Sequence, residues 1–404
     1  MYAKGLTVLL LLTAAVPLSG QSGESRQDLL LAQKRDKAER LVEESVSRSE
    51  KRVRALEKSR FPQNIFVKGF HGVRPLIGGM PSGSGAVAGI GYVRGLDYEL
   101  VNIEANARYS TRDFTQFDAA VEIPTARYGG PVRARFETEY HDYTSLRFFG
   151  LGNDSSADNK SFYREIASSF SGGLVADLGR RFRIGADGGW LRLDAGESDR
   201  SPTLSDRLDP SRIPGLVGER TEFAVYGGNV TIDLLDDEIP AAGLSVRFDA
   251  KRYDDRADNL YGFTRYVADF KGYIPLGYRN RYVALRFRTS QAVTDSGQRV
   301  PLYLMETVGG AGTIRGFSEE RFRDTRNLLM SAEYRWEAWT HLDLAIFFDA
   351  GKVFSRADDF NFSGLHTGYG FGARFHTPGG FVLRFDVARS VEGTKLHIGA
   401  GPSF

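Results

Sequence analysis

The chain has 404 residues, with 53 Lys and Arg against 51 Asp and Glu, and a net charge of +2. So balanced a charge gives no sign of a nucleic-acid partner, and 26% charged residues is too many for a bundle of membrane helices. Cysteine is absent, which excludes a disulfide scaffold and a thiolate metal site, while 46 glycines, 28 Phe and 18 Tyr are typical of a β-barrel.

The first 20 residues have the pattern of a cleavable secretory signal. Lys4 precedes an apolar run at residues 8–16, and Ser19 and Gly20 supply small residues for cleavage. That run is too short to span a bilayer. We therefore predict a signal peptide at residues 1–20, the alternative being an N-terminal membrane anchor.

Residues 21–60 differ in composition from the rest of the chain. Between residues 25 and 59 the sequence is rich in Glu, Lys and Arg and lacks both Gly and Pro. Val42 and Val46 begin a heptad-like stripe, but charged residues interrupt it. This predicts a short periplasmic helical segment, either a coiled coil or a plug of the barrel mouth, or else a solvated linker, which the broken stripe favours.

From residue 64 onward apolar and charged residues alternate in strand after strand. The clearest cases are residues 132–140, 244–252, 282–289 and 381–387. One face of such a strand suits hydrocarbon and the other a wet lumen, and the backbone is satisfied only if the sheet closes. We predict that residues 61–404 form an all-β domain, an antiparallel transmembrane β-barrel in the lipid bilayer, with its first strand near residues 86–93.

The most distinctive stretch is residues 308–324, called the arginine loop below. Its glycines, which include Gly309, Gly310 and Gly316, favour tight turns whose backbone lies close against another element. Arg315 is flanked by apolar residues, which favours an arginine carried into a confined space. The sequence therefore predicts that this loop lies inside the barrel.

Two carboxylates on later strands are candidate partners of Arg315. Asp349 ends an alternating run, residues 342–350, on the face opposite its exposed apolar residues, and Glu333 shares the inward face of the strand before it. A bidentate bond from Arg315 to Asp349 would hold the loop in the lumen. The alternative is a solvent-facing arginine and an ordinary lumen carboxylate.

A family resemblance rests on three motifs. The Gly-Gly-x-x-x-Ile-Arg-Gly-Phe sequence that ends at Phe317, the Phe-x-Asp-x-Gly strand around Asp349 and the terminal Phe404 together resemble the bacterial surface antigen superfamily. This superfamily includes BAM-type insertases and two-partner-secretion transporters of the bacterial outer membrane. The resemblance implies a 16-stranded barrel, an arginine loop paired with an acidic residue of the wall, and a role in protein insertion or translocation. It also implies that Phe404 is part of a C-terminal strand signal for assembly.

The strand count and the N-terminal region bear on that resemblance. We count ten strands before the arginine loop and five after it. A single-chain barrel has an even number, so we expect a sixteenth strand in residues 161–193 or 195–220, or two merged strands. Family members usually carry POTRA modules before the barrel, and residues 21–60 are too few for one. We therefore expect, besides the lipid bilayer, either client proteins or a separate periplasmic partner that supplies POTRA modules.

Catalytic motifs are missing from the sequence. The six histidines are scattered without metal-ligand spacing, and there is neither a Gly-x-Ser-x-Gly motif nor a phosphate-binding loop. We predict that the protein is not an enzyme and uses no metal or other cofactor. Two hypotheses remain: protein insertion or translocation, or a passive pore or structural surface protein that kept the barrel and lost client handling.

Overall fold

A computed structural model of the protein contains one continuous sheet of sixteen antiparallel strands. It describes residues 69–96, 101–124, 130–216, 220–235, 242–277, 281–339, 342–376, 382–401 and 403–404. The predicted signal peptide and helical segment lie outside these residues. The helical structure of the described ranges consists of four three-residue turns, Ala157–Asn159, Pro210–Arg212, Leu302–Leu304 and Ala357–Asp359. None of them is long and apolar enough to cross a membrane.

Eighteen strands follow one another along the described part of the chain. They are β1 (Val73–Ile77), β2 (Val87–Leu96), β3 (Val101–Ser110), β4 (Thr115–Pro124), β5 (Val132–Phe148), β6 (Ser161–Asp177), β7 (Phe182–Glu197), β8 (Thr221–Asp233), β9 (Gly243–Asp255), β10 (Phe263–Pro275), β11 (Arg281–Thr294), β12 (Glu306–Val308), β13 (Phe322–Asp324), β14 (Arg326–Trp339), β15 (Leu342–Phe354), β16 (His366–His376), β17 (Val382–Ser390) and β18 (Gly393–Ala400). Strands β12 and β13 pair with each other, and the other sixteen strands pair in chain order, with β11 next to β14. The sixteen-stranded all-β fold and the five strands after the arginine loop are thereby confirmed.

The start of the sheet differs from the sequence prediction. The stretch predicted as the first strand is β2, and β1 precedes it, with Val73 opposite Tyr92. Only five residues long and interrupted by Pro75, β1 carries too short an alternation to stand out in the sequence. Residues 161–193, one place suggested for a hidden strand, contain β6 and most of β7.

The predicted closure of the barrel is incomplete. Strands β1 and β18 are the two edges of the sheet, and no ladder joins them within the described ranges. The sheet nevertheless curls round far enough to bring its two edges close together. Evidence for this is that Met80 and Ser82 of the β1–β2 loop and Leu396 of β18 line the same cavity. The line along which β1 and β18 face each other is called the seam below, and the interior of the curled sheet is called the lumen.

Connections of two length classes separate the strands. One end of the sheet, called the short-turn end below, has short connections between neighbouring strands: residues 97–100, 178–181, 276–280 and 340–341. At the opposite, long-loop end lie the extended connections, residues 149–160, 198–220, 295–325 and 355–365. This asymmetry is typical of outer-membrane barrels, whose long loops are extracellular.

Most strands of the large sheet have an apolar outer face and a polar inner face, as their alternation predicts, except where Leu329 and Val353 face the arginine loop. In β9, Leu244 and Phe248 are exposed on the outside, whereas Arg247, Asp249 and Lys251 line a cavity of about 820 Å³ in the lumen. The outer face suits hydrocarbon, and the charged side chains are kept in contact with water inside.

Candidate functional site: the arginine loop and the lumen wall

The arginine loop packs against the inner face of the last five strands of the sheet. Its base is the β12–β13 hairpin, in which Val308 is opposite Phe322. The apolar residues of the loop form a buried cluster with the wall: Val308, Ile314, Phe317, Phe322, Leu329 and Val353. Burial of these side chains places Arg315, which lies between two of them in sequence, against the wall.

Arg315 and Asp349 form a buried bidentate pair. The Nε of Arg315 donates to Oδ2 of Asp349 at 2.7 Å and its Nη2 donates to Oδ1 at 2.8 Å. The backbone N–H of Arg315 also donates to Oδ2 at 3.1 Å. The ring of Phe347 lies 3.4 Å from the guanidinium carbon, close enough for a cation–π contact. The pair is almost fully excluded from solvent, with 2% of Arg315 and 0% of Asp349 exposed.

Two further carboxylates complete the surroundings of Arg315. Glu333 on β14 accepts a hydrogen bond from Nη1 of Arg315 at 2.5 Å. Asp386 on β17 lies 3.4 Å from the same nitrogen. The structure thus brings Arg315, Glu333 and Asp349 together, as the sequence suggested, and adds Asp386. One loop side chain contacts three strands of the wall.

Three more arginines neutralise these carboxylates. Arg335 donates to Glu333 at 2.7 Å. Arg374 donates to Asp386 at 2.8 Å and to Glu333 at 3.3 Å, and Arg384 lies 3.3 Å from Asp386. All of these side chains are buried. A buried network of this kind is stable only while every charge has a partner.

The network keeps the loop arginine charged. Burial alone would lower the pKa of Arg315, but the hydrogen bonds to Asp349 and the charges of Glu333, Asp349 and Asp386 outweigh it and raise that pKa. Four guanidinium groups face three carboxylates, so the network carries one positive charge in excess. Changes of pH near neutrality therefore leave the charge of Arg315 unaltered.

Glycines let the loop backbone approach the wall closely. A Cβ at Gly368 on β16 would overlap the carbonyl oxygen of Arg315, and a Cβ at Gly316 would lie 2.9 Å from the backbone of Arg389. Gly316 also has a φ of +94°, which favours glycine. The turn itself is closed by the N–H groups of Gly309 and Gly310, which donate to Thr313 Oγ1 at 2.8 Å and to the Ile314 carbonyl at 3.1 Å.

The loop also reaches the strands beside the seam. The N–H of Gly316 donates to Nε2 of His397 on β18 at 3.4 Å, and Ser390 on β17 donates to the Gly316 carbonyl at 2.8 Å. Arg321 forms an ion pair with Glu392, in the turn between these strands, at 2.5 Å. Phe317, the last residue of the motif, is buried and faces the ring of His366 at 5.6 Å. The loop position is therefore tied to the last two strands.

A second loop, residues 149–160, covers the arginine loop at the long-loop end. The N–H of Gly152 donates to the Arg323 carbonyl at 2.8 Å. Asn153 accepts from the N–H of Val353 at 3.1 Å, donates to the Gly364 carbonyl at 2.8 Å, and its own carbonyl accepts from His366 at 2.9 Å. Asn153 thus joins three parts of the wall beside the arginine loop.

The terminal Phe404 lies at the other end of the lumen. Strand β18 ends at Ala400, earlier than predicted. The carbonyl of Phe404 accepts from Tyr273 at 3.0 Å, and its ring lies 5.3 Å from the Arg335 guanidinium. Ser403 accepts from Arg335 at 2.6 Å and donates to Glu333 at 2.9 Å. The last two residues therefore contact the same network as the arginine loop.

Among the residues of this site that sequence reasoning missed, those closest to the charge network are Gly368, Arg374, Arg384 and Asp386. Alternation places Arg384 and Asp386 on the inner face of their strand, so the sequence does indicate that they face the lumen. It does not indicate which of the inner charges contact each other. Glycine recurs on one face of β16 at Gly368 and then twice more at intervals of two, which is a sign of close backbone approach.

Within the described residues, no group of three or more His, Asp or Glu side chains is placed to hold a metal ion.

Comparisons with known proteins agree with this geometry. The Omp85 superfamily domain model matches residues 101–404. BamA from Haemophilus ducreyi, in a crystal structure lacking POTRA domains 1–3, superposes with a TM-score of 0.60 at 15% identity over 82% of this chain and 70% of that one. CdiB from Escherichia coli gives a TM-score of 0.55 at 14% identity, over 81% of this chain and 61% of CdiB. CdiB from Acinetobacter baumannii gives 0.51 at 14%, over 78% of this chain and 56% of that one. This chain thus spans less than two thirds of either CdiB. No curated protein sequence matches the chain.

Proposed function

Because this chain belongs to the Omp85 superfamily, a family of outer-membrane insertases and transporters, we propose that it inserts proteins into the bacterial outer membrane or moves them across it. The protein is an outer-membrane β-barrel. The proposal concerns what that barrel does: the arginine loop holds the strands next to the seam in place, and a client protein passes when this hold is released.

One observation supports the proposal most strongly, namely the contact of Arg315 with carboxylates on three different strands. Glu333, Asp349 and Asp386 belong to β14, β15 and β17, which lie between the loop and the seam. A single side chain that joins these strands couples the position of the loop to the position of β18. A pore that only conducts has no need of such a connection.

The free edge of β18 supplies the chemistry for client binding. An edge strand presents unpaired N–H and C=O groups, on which an extended segment can add as a further strand. No described residue pairs with the outer edge of β18. We infer that a strand of the client pairs there, and that a shift of the arginine loop gives it room.

The interaction energy between Arg315 and the wall is consistent with a loop that is docked but can undock. A hydrogen bond to a charged group contributes about 1.5–3 kcal/mol. Arg315 makes three of them to Asp349 and one to Glu333. Part of that gain is offset by the desolvation of the charges, so the docked state remains reversible.

The test is to deplete the protein in its host and to measure the amounts of other outer-membrane proteins. Depletion should lower one or more of them, and re-expression of wild type should restore them. Arg315→Ala should restore less than wild type at equal abundance, whereas the control Arg356→Gln, at an arginine with a 75% exposed side chain, should restore fully. Unchanged protein levels on depletion would count against insertion and translocation alike.

A passive pore is the alternative, and the lumen cavity of about 820 Å³ favours it. That cavity is lined by charged residues such as Arg247, Lys251 and Asp269, so it is suited to water and ions. Planar-bilayer recordings distinguish the two functions. A large steady conductance that Arg315→Ala leaves unchanged, together with unaltered outer-membrane protein levels, would favour the pore.

A further inference from the structure

Four cations gather at the long-loop end of the protein, next to the seam. They are Arg112, Arg147, Lys160 and Arg200, called the cation cluster below. Two of them bind neighbouring residues of the β1–β2 loop: Arg112 donates to the Gly83 carbonyl at 2.8 Å and Arg147 donates to Oγ of Ser82 at 2.9 Å. This loop therefore fixes the two guanidinium groups side by side.

The other two cations share one aromatic ring. Phe162 is directly opposite Arg147 in the β5–β6 ladder and is 3% exposed. The Arg200 guanidinium lies 4.2 Å from the centre of this ring, and the Lys160 ammonium lies 5.5 Å from it. The main chain of Arg200 is held by Ser198, whose hydroxyl accepts from the backbone N–H of Arg200 at 3.1 Å. The four charges thus form a connected and positioned group.

The described residues balance the charge of these cations only in part. None of the four forms an ion pair with a carboxylate among the described residues, although Glu319 and Glu320 act on Arg147 through space. The Nε of Arg147 and the Nη1 of Arg200 are buried without a hydrogen-bond partner there. Burial, followed by the neighbouring positive charges, lowers the pKa of Lys160 and of Arg200. Buried donors and unbalanced charges of this kind are stabilised when an anion binds.

A cavity of about 640 Å³ adjoins the cluster at the seam. Arg147, Lys395 and Ser82 line its polar side together with one carboxylate, Glu319, so two cations face a single acid there. Its other side is lined by Leu396 and Ile398 of β18, which are exposed on the outer face of the sheet. The cavity therefore has cations at one end and a hydrocarbon-facing wall at the other, which is the polarity of an amphiphile with an anionic head. Its volume is within the range of small-molecule sites.

We propose that the cation cluster binds the phosphate of a phosphorylated lipid in the outer leaflet, with the lipid chain lying along Leu396 and Ile398. Arginine and lysine suit phosphate because their N–H groups form charge-assisted bonds to its oxygens. The long-loop end is the extracellular end of such a barrel, so this leaflet is the one within reach. The proposal holds whether the barrel inserts proteins or only conducts.

The test uses the full-length protein in nanodiscs of phosphatidylcholine and phosphatidic acid, with the lipids that remain bound after release counted by native mass spectrometry. Wild type should retain phosphatidic acid in preference to phosphatidylcholine. The variant Arg147→Gln/Arg200→Gln should lose this preference by about tenfold or more. The control Arg212→Gln/Arg356→Gln removes two loop arginines with 87% and 75% exposed side chains and should behave as wild type.

Three additions keep the result unambiguous. The first is the variant Lys160→Gln, which changes a loop residue outside the sheet, so that a loss of lipid preference in this variant cannot be attributed to a misfolded strand. The second is heat-dependent gel mobility, which reports whether each variant is folded. Inorganic phosphate is added as a competitor. Release of phosphatidic acid by millimolar phosphate assigns the site to phosphate from either source, and retention assigns it to the lipid. Equal preference in wild type and in the folded cluster variants, or no preference in wild type, would overturn the proposal.

Discussion

Asp349 accepts three hydrogen bonds from Arg315, two from its guanidinium group and one from its backbone N–H. A wall carboxylate thereby binds both the side chain and the main chain of the same loop residue. The backbone bond fixes where the loop lies, and the bidentate bond fixes how the guanidinium is turned. The second effect brings Nη1 to Glu333 and Asp386, so the Asp349 contact organises the rest of the site.

Asp349→Asn should destabilise the folded barrel, because the buried guanidinium loses its bidentate acceptor. Breaking a buried ion pair costs about 3–5 kcal/mol, and the lower part of this range is expected since Glu333 and Asp386 remain. The measurement is the free energy of unfolding in detergent, from a urea titration followed by tryptophan fluorescence. Asp358→Asn, at a side chain that is 87% exposed, is the control. Coincident titrations for the two variants would show that the pair contributes nothing.

Gly368→Ala should undock the arginine loop, because the added methyl group occupies the place of the Arg315 carbonyl oxygen. The loop then exposes Arg321 and Arg323, which are 4% and 3% exposed in the wild type. Limited trypsin digestion of the folded protein should cleave after these residues at least about tenfold faster, as expected for a site that opens locally. Gly272→Ala, where a Cβ meets open space, should leave the cleavage rate unchanged. Equal rates in both variants would contradict the docking argument.

Asn153→Ala should loosen the contact between residues 149–160 and the wall. The N–H of Val353 loses its side-chain acceptor, which costs about 1–3 kcal/mol for a partly buried donor. Hydrogen exchange followed by mass spectrometry should then show faster exchange in peptides that contain Val353. The exposed neighbour Asp154 provides the control, as Asp154→Ala removes a side chain of similar size from the same loop. Unchanged exchange in Asn153→Ala would mean that the loop is held by other contacts.

The alternation of apolar and charged residues was enough to predict the fold and part of the site. It places Glu333 and Asp349 on inner faces because a strand repeats every two residues, whatever surrounds it. The same rule marks Asp386 and Arg374 as inward, but the meeting of Asp386 with Arg315 and Arg374 depends on the register and curvature of four strands. Those are properties of the whole sheet, which no local pattern contains.

The chain ends were harder to predict for a different reason. Strand β1 is held by pairing with β2 rather than by a pattern of its own, since five residues provide little alternation. At the other end, the alternation of residues 395–404 predicted one continuous strand, whereas β18 stops at Ala400 and Phe404 turns to Tyr273 and Arg335. Tertiary contacts in the lumen decide where that strand stops.

The role of Phe404 as an assembly signal remains a prediction, and refolding separates it from a purely structural role. Phe404→Ala removes a ring that packs with Tyr273 and Tyr282. The substitution should therefore lower the free energy of unfolding by about 2–4 kcal/mol, and this loss is the same whether the protein folds in cells or in detergent. If the residue is also a signal, the yield of folded protein in cells should fall several-fold more than the yield of refolding in detergent. Equal losses in the two settings would leave Phe404 with the structural role alone.

The row of glycines on β16 has a consequence for how this protein tolerates sequence change. At Gly368, Gly370 and Gly372 the inner surface of the wall is bare main chain, and an added Cβ would meet the loop, Val387 and Asp386 respectively. At Gly368 and Gly370 the nearest atoms are backbone carbonyl oxygens, so a different rotamer nearby cannot make room, and at Gly372 a shift of Asp386 would break its ion pair with Arg374. Saturation mutagenesis should therefore find these three positions less permissive than Asp349 and Asp386, the acids opposite Gly368 and Gly372, where one acid can replace another.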